Sequence, residues 1–255
     1  MSGIAGPPVL LLHGLTGSGR YWGRTYESFA VRHRLIVPDL LGFGASAGAA
    51  GPFDLDSHIS AVAGCLDALG VTDPVTIGAH SMGTVIALGL ARTQPHRVRS
   101  IAAFGPPVYP SQASARRHVA AGGLLERLFV LPGPVAKATC SWMCNHRSAA
   151  RRIAPWLSPT LPRSIAQDAT DHTWPSYSQS LTSLLLANPA SDWIDDVTCP
   201  LTLVAGQDDR VLDLPHLERL TQGDATLQVW PGDHHLPLRS PERCCDLIAS
   251  QLQDS

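Results

Sequence analysis

Six short apolar runs punctuate this chain, at residues 9–12, 35–37, 75–78, 98–104, 201–205 and 227–230. Each is too short for a buried helix and rich in leucine or β-branched side chains, which is the signature of strands covered on both faces. Helical periodicity fills several of the gaps. Ile59, Val62, Ala63, Leu66 and Leu69 form one stripe behind a cap at Asp54 or Asp56. Val85, Leu88 and Arg92 recur at helical spacing before Pro95, and Cys244, Leu247, Ile248 and Leu252 do so after a proline start at Pro241. Strands alternating with helices predict an α/β fold, a mostly parallel sheet with helices on its faces.

The rhythm breaks between residues 105 and about 189, where "GPPVYP" opens a stretch richer in helix-like segments, tryptophan and proline. With 255 residues and 44% hydrophobic content the chain can bury one large core. The expected organisation is therefore a core of residues 1–105 and 190–255 interrupted by a helical insertion at 106–189. An insertion after the C-terminal end of a strand lies over the place where open α/β sheets bind ligands, so it is expected to form a cap.

Net charge is −2 and no basic cluster exceeds the pairs Arg116–Arg117 and Arg151–Arg152, which argues against nucleic acid or an anionic membrane as partner. A small molecule is expected instead. The first twelve residues lack the basic leader and apolar stretch of a signal peptide, and no run approaches about 18 apolar residues, so a cytoplasmic protein is expected. Six cysteines are scattered at 65, 140, 144, 199, 244 and 245. They lack the density of a disulfide framework, and Cys140 and Cys144 alone make no metal site. Neither metal nor cofactor is expected.

Residues 78–84 read "GAHSMGT", close to the G-x-S-x-G turn that exposes a nucleophilic serine between a strand and a helix. Small residues are needed two positions either side of that serine; Gly83 meets the demand and Ala79 exceeds it by one methyl group. A serine hydroxyl attacks only when a histidine removes its proton, and a carboxylate must orient that histidine. "QDDRV" after the fifth apolar run supplies Asp208 and Asp209, and "PGDHHLPLRSPE" after the sixth supplies His234 and His235. The order is Ser, Asp, His.

With "LLHGLTGSGRYW", "VPDLLGFGAS", "GAHSMGT", "AGQDDRV" and "PGDHHLPLRSPE" in this order, the chain resembles the α/β-hydrolase superfamily, specifically its capped serine hydrolases. The resemblance implies Ser81 as nucleophile, and a serine there excludes the aspartate chemistry of epoxide hydrolases and haloalkane dehalogenases. The acid lies fourth in the family's G-x-x-D loop, which is Asp209, with Asp208 the alternative. Counting forward from "PG" gives His235 as the base, whereas counting back from "SPE" gives His234 and implies one residue deleted from the loop. The helix start near Pro241 is the firmer anchor, and His234 is taken.

Backbone N–H groups of Leu15 and Met82 match the family's oxyanion donors, which must stand ready where negative charge develops. The family pattern makes His13 and His80 structural neighbours of the site, while Asp39, Gly42 and Gly44 shape a loop. In the insertion, His172, Trp174 and Tyr177 either pack a substrate's apolar part or form the cap's own small core. The implied activity is hydrolysis of small, largely apolar carboxylic esters or lactones through an acyl-enzyme. A C–C bond hydrolase acting on ring-cleavage ketones and a hydrolase-like ligand-binding protein are the alternatives. Most relatives carry a β-hairpin before "HG", whereas twelve residues precede His13 here, so either the sheet lacks two edge strands or the true start lies upstream. If the chain starts at Met1, the edge of the 35–37 strand is expected to be covered by a loop, stopped early by Pro38, or paired in a homodimer.

Overall fold

The computed structural model describes residues 6–121, 133–187, 190–221 and 225–252. All six apolar runs are strands: β1 (Pro8–Leu12), β2 (Arg34–Ile36), β3 (Val75–His80), β4 (Val98–Phe104), β5 (Leu201–Gly206) and β6 (Thr226–Trp230). They form one sheet in the order β2-β1-β3-β4-β5-β6 with every pairing parallel. No strand among the described residues precedes β1. At one edge β2 has three residues and ends at Ile36, two short of Pro38, whose ring nitrogen has no N–H to offer a ladder.

Side-chain alternation along β1 divides the core. Leu10 and Leu12 join the cluster on one face, with α1 (Leu55–Ala68) and α2 (Met82–Thr93). Val9 and Leu11 join the cluster on the other, with Tyr21, Trp22 and Ile248. Asp54 is the cap of α1, accepting the Ser57 N–H at 2.9 Å. Residues 82–91 of α2 are all buried, which explains why that helix is apolar around its whole circumference.

Between β4 and β5 the chain leaves the sheet for α3 (Gln112–Val119), α4 (Pro134–Asn145), α5 (Arg147–Leu157), α6 (Arg163–Asp168), α7 (Trp174–Ser180), a π-helical turn (Leu181–Leu186) and α8 (Ala190–Trp193). Residues 122–132 and 188–189 of the expected cap lie outside the described residues. The insertion is not one unit in its packing: Tyr177, Leu181 and Leu184 belong to the same core cluster as α2. The chain closes with α9 (Leu214–Leu220), α10 (Leu236–Arg239) and α11 (Pro241–Ser250) around β6. No helix among the described residues is long and apolar enough to cross a membrane. The chain steps from β1 out to β2 and then back past β1 to β3, so the C-terminal ends of β1 and β3 flank the switch point where such sheets bind ligands.

Candidate active site

Ser81 stands between the last residue of β3 and the first of α2, with φ 49° and ψ −118°. A non-glycine residue at positive φ costs of order 1–3 kcal/mol and persists only where its surroundings fix it. Here they do. Its N–H donates to Phe104 O of β4 at 3.0 Å and its C=O accepts from the Thr84 N–H at 2.8 Å. Gly83 is required on packing grounds, because a Cβ there would lie 2.5 Å from Leu12 O and 2.8 Å from His13 O. Ala79, which breaks the motif, is a wholly buried strand residue in register with Leu12 and Ala103, so its methyl group is absorbed by the sheet face.

The loops after β5 and β6 converge on the same point. His234 Nδ1 lies 2.7 Å from Asp209 Oδ2, and the Asp209 side chain has no exposed surface. The second oxygen of Asp209 accepts the Val211 N–H at 2.9 Å, so the carboxylate is fixed by its own turn. Gly105 sits beneath His234 with φ 60°, and a Cβ there would come within 3.1 Å of the imidazole. The neighbours in each pair lie elsewhere: Asp208 is exposed, and His235 Nδ1 is 3.2 Å from the Tyr21 hydroxyl. Burial lowers the His235 pKa to about 4, with the nearby His234 acting in the same direction. The hydrogen-bond partner of the neutral His235 ring is the Tyr21 hydroxyl.

His13 and His80 brace this centre. Leu40 N–H donates to His13 Nε2 at 2.9 Å, which places the proton on Nδ1, and that proton goes to Gly14 O at 2.8 Å. Burial lowers its pKa to about 4. His80 donates from Nε2 to His234 O at 2.9 Å and stacks on Tyr21, with ring centroids 4.5 Å apart and 19° between planes. Its pKa is pushed well down by burial first and by His234 and His235 next. Asp39 accepts from Gly19 N–H at 2.6 Å and Ala45 N–H at 2.7 Å, closing the loop that contains Gly42 and Gly44. Tyr21 and Tyr109 also line the site and were not singled out from the sequence; "GRYW" follows the HG turn after four intervening residues, and the aromatic pair there is the signal available for Tyr21.

Ser81, His234 and Leu15 all face a cavity of about 330 Å³. Its far wall comes from the inserted helices, including Trp142, Met143, Ile153 and Leu157. His172 and Tyr177 line it as well. Trp174 is not among these wall residues: its ring lies 6.2 Å from that of Tyr177 and packs against the main core. Met82 has no exposed surface and its side chain is not part of the wall. No Arg, Lys, Asp or Glu lines the cavity among the described residues. Nor do those residues hold three His, Cys, Asp or Glu side chains grouped to bind a metal ion. Cys140 and Cys144 share α4, and Cys144 Sγ donates to His172 O at 3.3 Å.

The model of the α/β-hydrolase fold matches residues 7–238, and the chain belongs to that family of hydrolases. Among its relatives, (E)-2-((N-methylformamido)methylene)succinate hydrolase of Acinetobacter baylyi is 25% identical over 209 residues, covering 80% of this chain and 73% of its own. Lipase LipV of Mycobacterium tuberculosis is 38% identical over 107 residues, but that match covers 42% of this chain and 40% of the lipase. Other curated relatives above 30% identity are matched over a similarly limited part, the chain spanning 22% to 38% of their own length. A solved thermophilic esterase from Thermogutta terrifontis superimposes with a TM-score of 0.70 at 25% identity, over 97% of this chain and 90% of its own.

Proposed function

We propose that the protein is a serine hydrolase of small, neutral, largely apolar carboxylic esters, lactones included. Ser81 attacks the carbonyl carbon as His234 takes its proton, and Asp209 holds the imidazole in the tautomer that leaves Nε2 free to accept it. Backbone N–H groups of Met82 and Leu15 receive the developing oxyanion, a role in which each well-placed donor is worth about 10²- to 10³-fold in kcat. The tetrahedral adduct collapses as His234 returns the proton to the leaving alkoxide. Water then attacks the acyl-enzyme through the same base and releases the acid and Ser81.

The observation that carries this reading is the 2.7 Å contact between His234 and Asp209 at a cavity that Ser81 also lines, and whose wall holds no charged Arg, Lys, Asp or Glu side chain among the described residues. Such a wall suits a neutral substrate. The Acinetobacter relative is named for a succinate and so handles carboxylates, which an uncharged pocket would desolvate at a cost of several kcal/mol. The esterase from Thermogutta and the mycobacterial lipase are the relatives whose names agree with an ester substrate.

A pair of p-nitrophenyl esters tests the reading. The butanoate is expected to be hydrolysed with kcat/KM at least about tenfold above that of the hemisuccinate, the difference of about 1.4 kcal/mol being a small part of a carboxylate's desolvation. Equal or better turnover of the hemisuccinate, or of a ring-cleavage diketone, would overturn the substrate class. Binding without turnover of any of them would point to a ligand-binding protein.

A further inference from the structure

We infer that Asp168 is a positioning residue that ties the loop carrying Leu15 to the inserted helices and so holds the oxyanion site from outside the sheet. The inference rests on the reading that the Leu15 N–H is an oxyanion donor. Asp168 ends α6, and its side chain is only 5% exposed although it is a carboxylate. Two of its partners come from the loop after β1: the Ser18 hydroxyl donates to Oδ2 at 2.8 Å, and Arg20 Nη1 lies 3.3 Å from Oδ1. A third comes from α5, where Arg151 Nη2 lies 3.6 Å from Oδ1.

Packing alone does not explain a carboxylate here. Its neighbours Ile165, Ala166 and Ala169 are apolar cavity-wall residues, and an apolar side chain would fill the space without the desolvation that burying a charge entails. What the carboxylate adds is a directed link to Ser18, itself buried. Asp39 takes the Gly19 N–H, so two carboxylates, one from the core and one from the inserted helices, bracket this part of the loop through the adjacent residues Ser18 and Gly19. Between Leu15 and this bracket the backbone is strained, with Thr16 at φ 58° and the Gly17 N–H turned back to Gly14 O at 3.1 Å. A strained turn keeps its geometry only while its ends are held. The exposed Arg20 guanidinium adds little to that hold, because ion pairs open to solvent are weak.

The test compares wild type with Asp168→Ala, Asp168→Asn and Ser18→Ala. Rates of p-nitrophenyl butanoate hydrolysis are normalised to titrated active sites, and inhibition by a short alkylboronic acid is measured alongside. The boronate's tetrahedral adduct places an oxygen where the oxyanion forms. Asp168→Ala is expected to lower kcat about ten- to a hundredfold with KM little changed, the loss typical of a misplaced group remote from the chemistry. The boronate Ki is expected to rise by the same factor as kcat/KM falls. Asp168→Asn, whose amide oxygen still accepts from Ser18, is expected to retain most of the rate, and amide exchange across residues 13–22 is expected to quicken in the alanine variant. A lowered Tm with kcat per site and boronate Ki unchanged would overturn the inference. Should Asp168→Ala fail to fold, Ser18→Ala cuts the same link from the loop side, and an unchanged Ki there would overturn it equally. If wild type neither cleaves esters nor binds boronate, the functional reading has failed. Exchange then decides the link by itself: quickening at 163–172 without any at 13–22 would overturn it.

Discussion

His80 Nε2 donates to the main-chain carbonyl of His234 at 2.9 Å, so the residue before Ser81 grips the loop that presents the imidazole. The two stretches lie 154 residues apart in the chain, and this bond links them. His80→Leu keeps the bulk but removes the donor to that part-buried carbonyl, whereas His80→Gln retains an N–H that can reach it. The leucine variant is expected to lose about ten- to a hundredfold in kcat and the glutamine variant markedly less. Equal losses in steady-state assays would show that the ring acts by packing alone.

Parallel substitution separates each acidic and basic pair. Ser81→Ala, Asp209→Asn and His234→Ala are each expected to cost at least about 10³-fold in kcat, and combining them is expected to cost little more, because under the proposed function the three act as one unit. Asp208→Asn and His235→Ala are expected to be mild. A more damaging effect from either mild variant than from its neighbour would shift the assignment by one residue.

The buried histidines predict a pH dependence of stability. Burial lowers His13, His58, His172 and His235 to about 4 and His80 well below its ordinary value, whereas in an unfolded chain each titrates near 6.5. Between those values the unfolded state binds more protons, so stability falls as pH falls from about 6.5 towards 4, by at most about 1.4 kcal/mol per pH unit for each group. On the alkaline side, burial raises Cys140, Cys244 and Cys245 to about 12, so the unfolded state loses protons first and stability declines above about 8.5. Thermal melts from pH 5 to 9.5 are expected to peak between about 7 and 8. A Tm constant from pH 7 down to 5 would contradict this.

The turn around Ser81 makes an asymmetric prediction. Gly83→Ala drives a methyl group into Leu12 O and is expected to cost roughly 1–3 kcal/mol or more, as overpacking does, with activity lost alongside. Ala79→Gly restores the sequence motif yet removes a buried methyl group and adds backbone freedom, so it is expected to lower Tm slightly with kcat unchanged. Chemical denaturation of both variants checks the order.

The strands were legible because buried parallel strands must be apolar without interruption, and their runs are bounded by glycine, proline and aspartate. The Ser–Asp–His order was legible for a similar reason, since each residue sits just past such a run. The stretch from 19 to 31, 3₁₀-helical over Gly19–Trp22 and Arg24–Val31, was not, because its period lies between those of strand and α-helix. In the sequence only the family's G-x-x-D count separates Asp209 from Asp208; in the structure the turn buries the side chain of the first and exposes the second. The cavity wall was illegible for a different reason. Thr139, Ile153 and Ile165 come from three helices, and what unites them is tertiary placement that no local period encodes.

The division of the inserted stretch between two packing partners limits how this fold can be rebuilt. Among the described residues, α4 and α5 shape the cavity without joining either core cluster, whereas α6 meets the sheet through Ile165 and the loop after β1 through Asp168, so α4 and α5 are the portion that can be exchanged to change which ligand fits. From Tyr177 onward the same stretch is the floor on which α2, and hence Ser81, rests. A graft that ends before Pro162 would trade one recognition surface for another; one that runs through Leu186 would replace the support of Ser81 along with it.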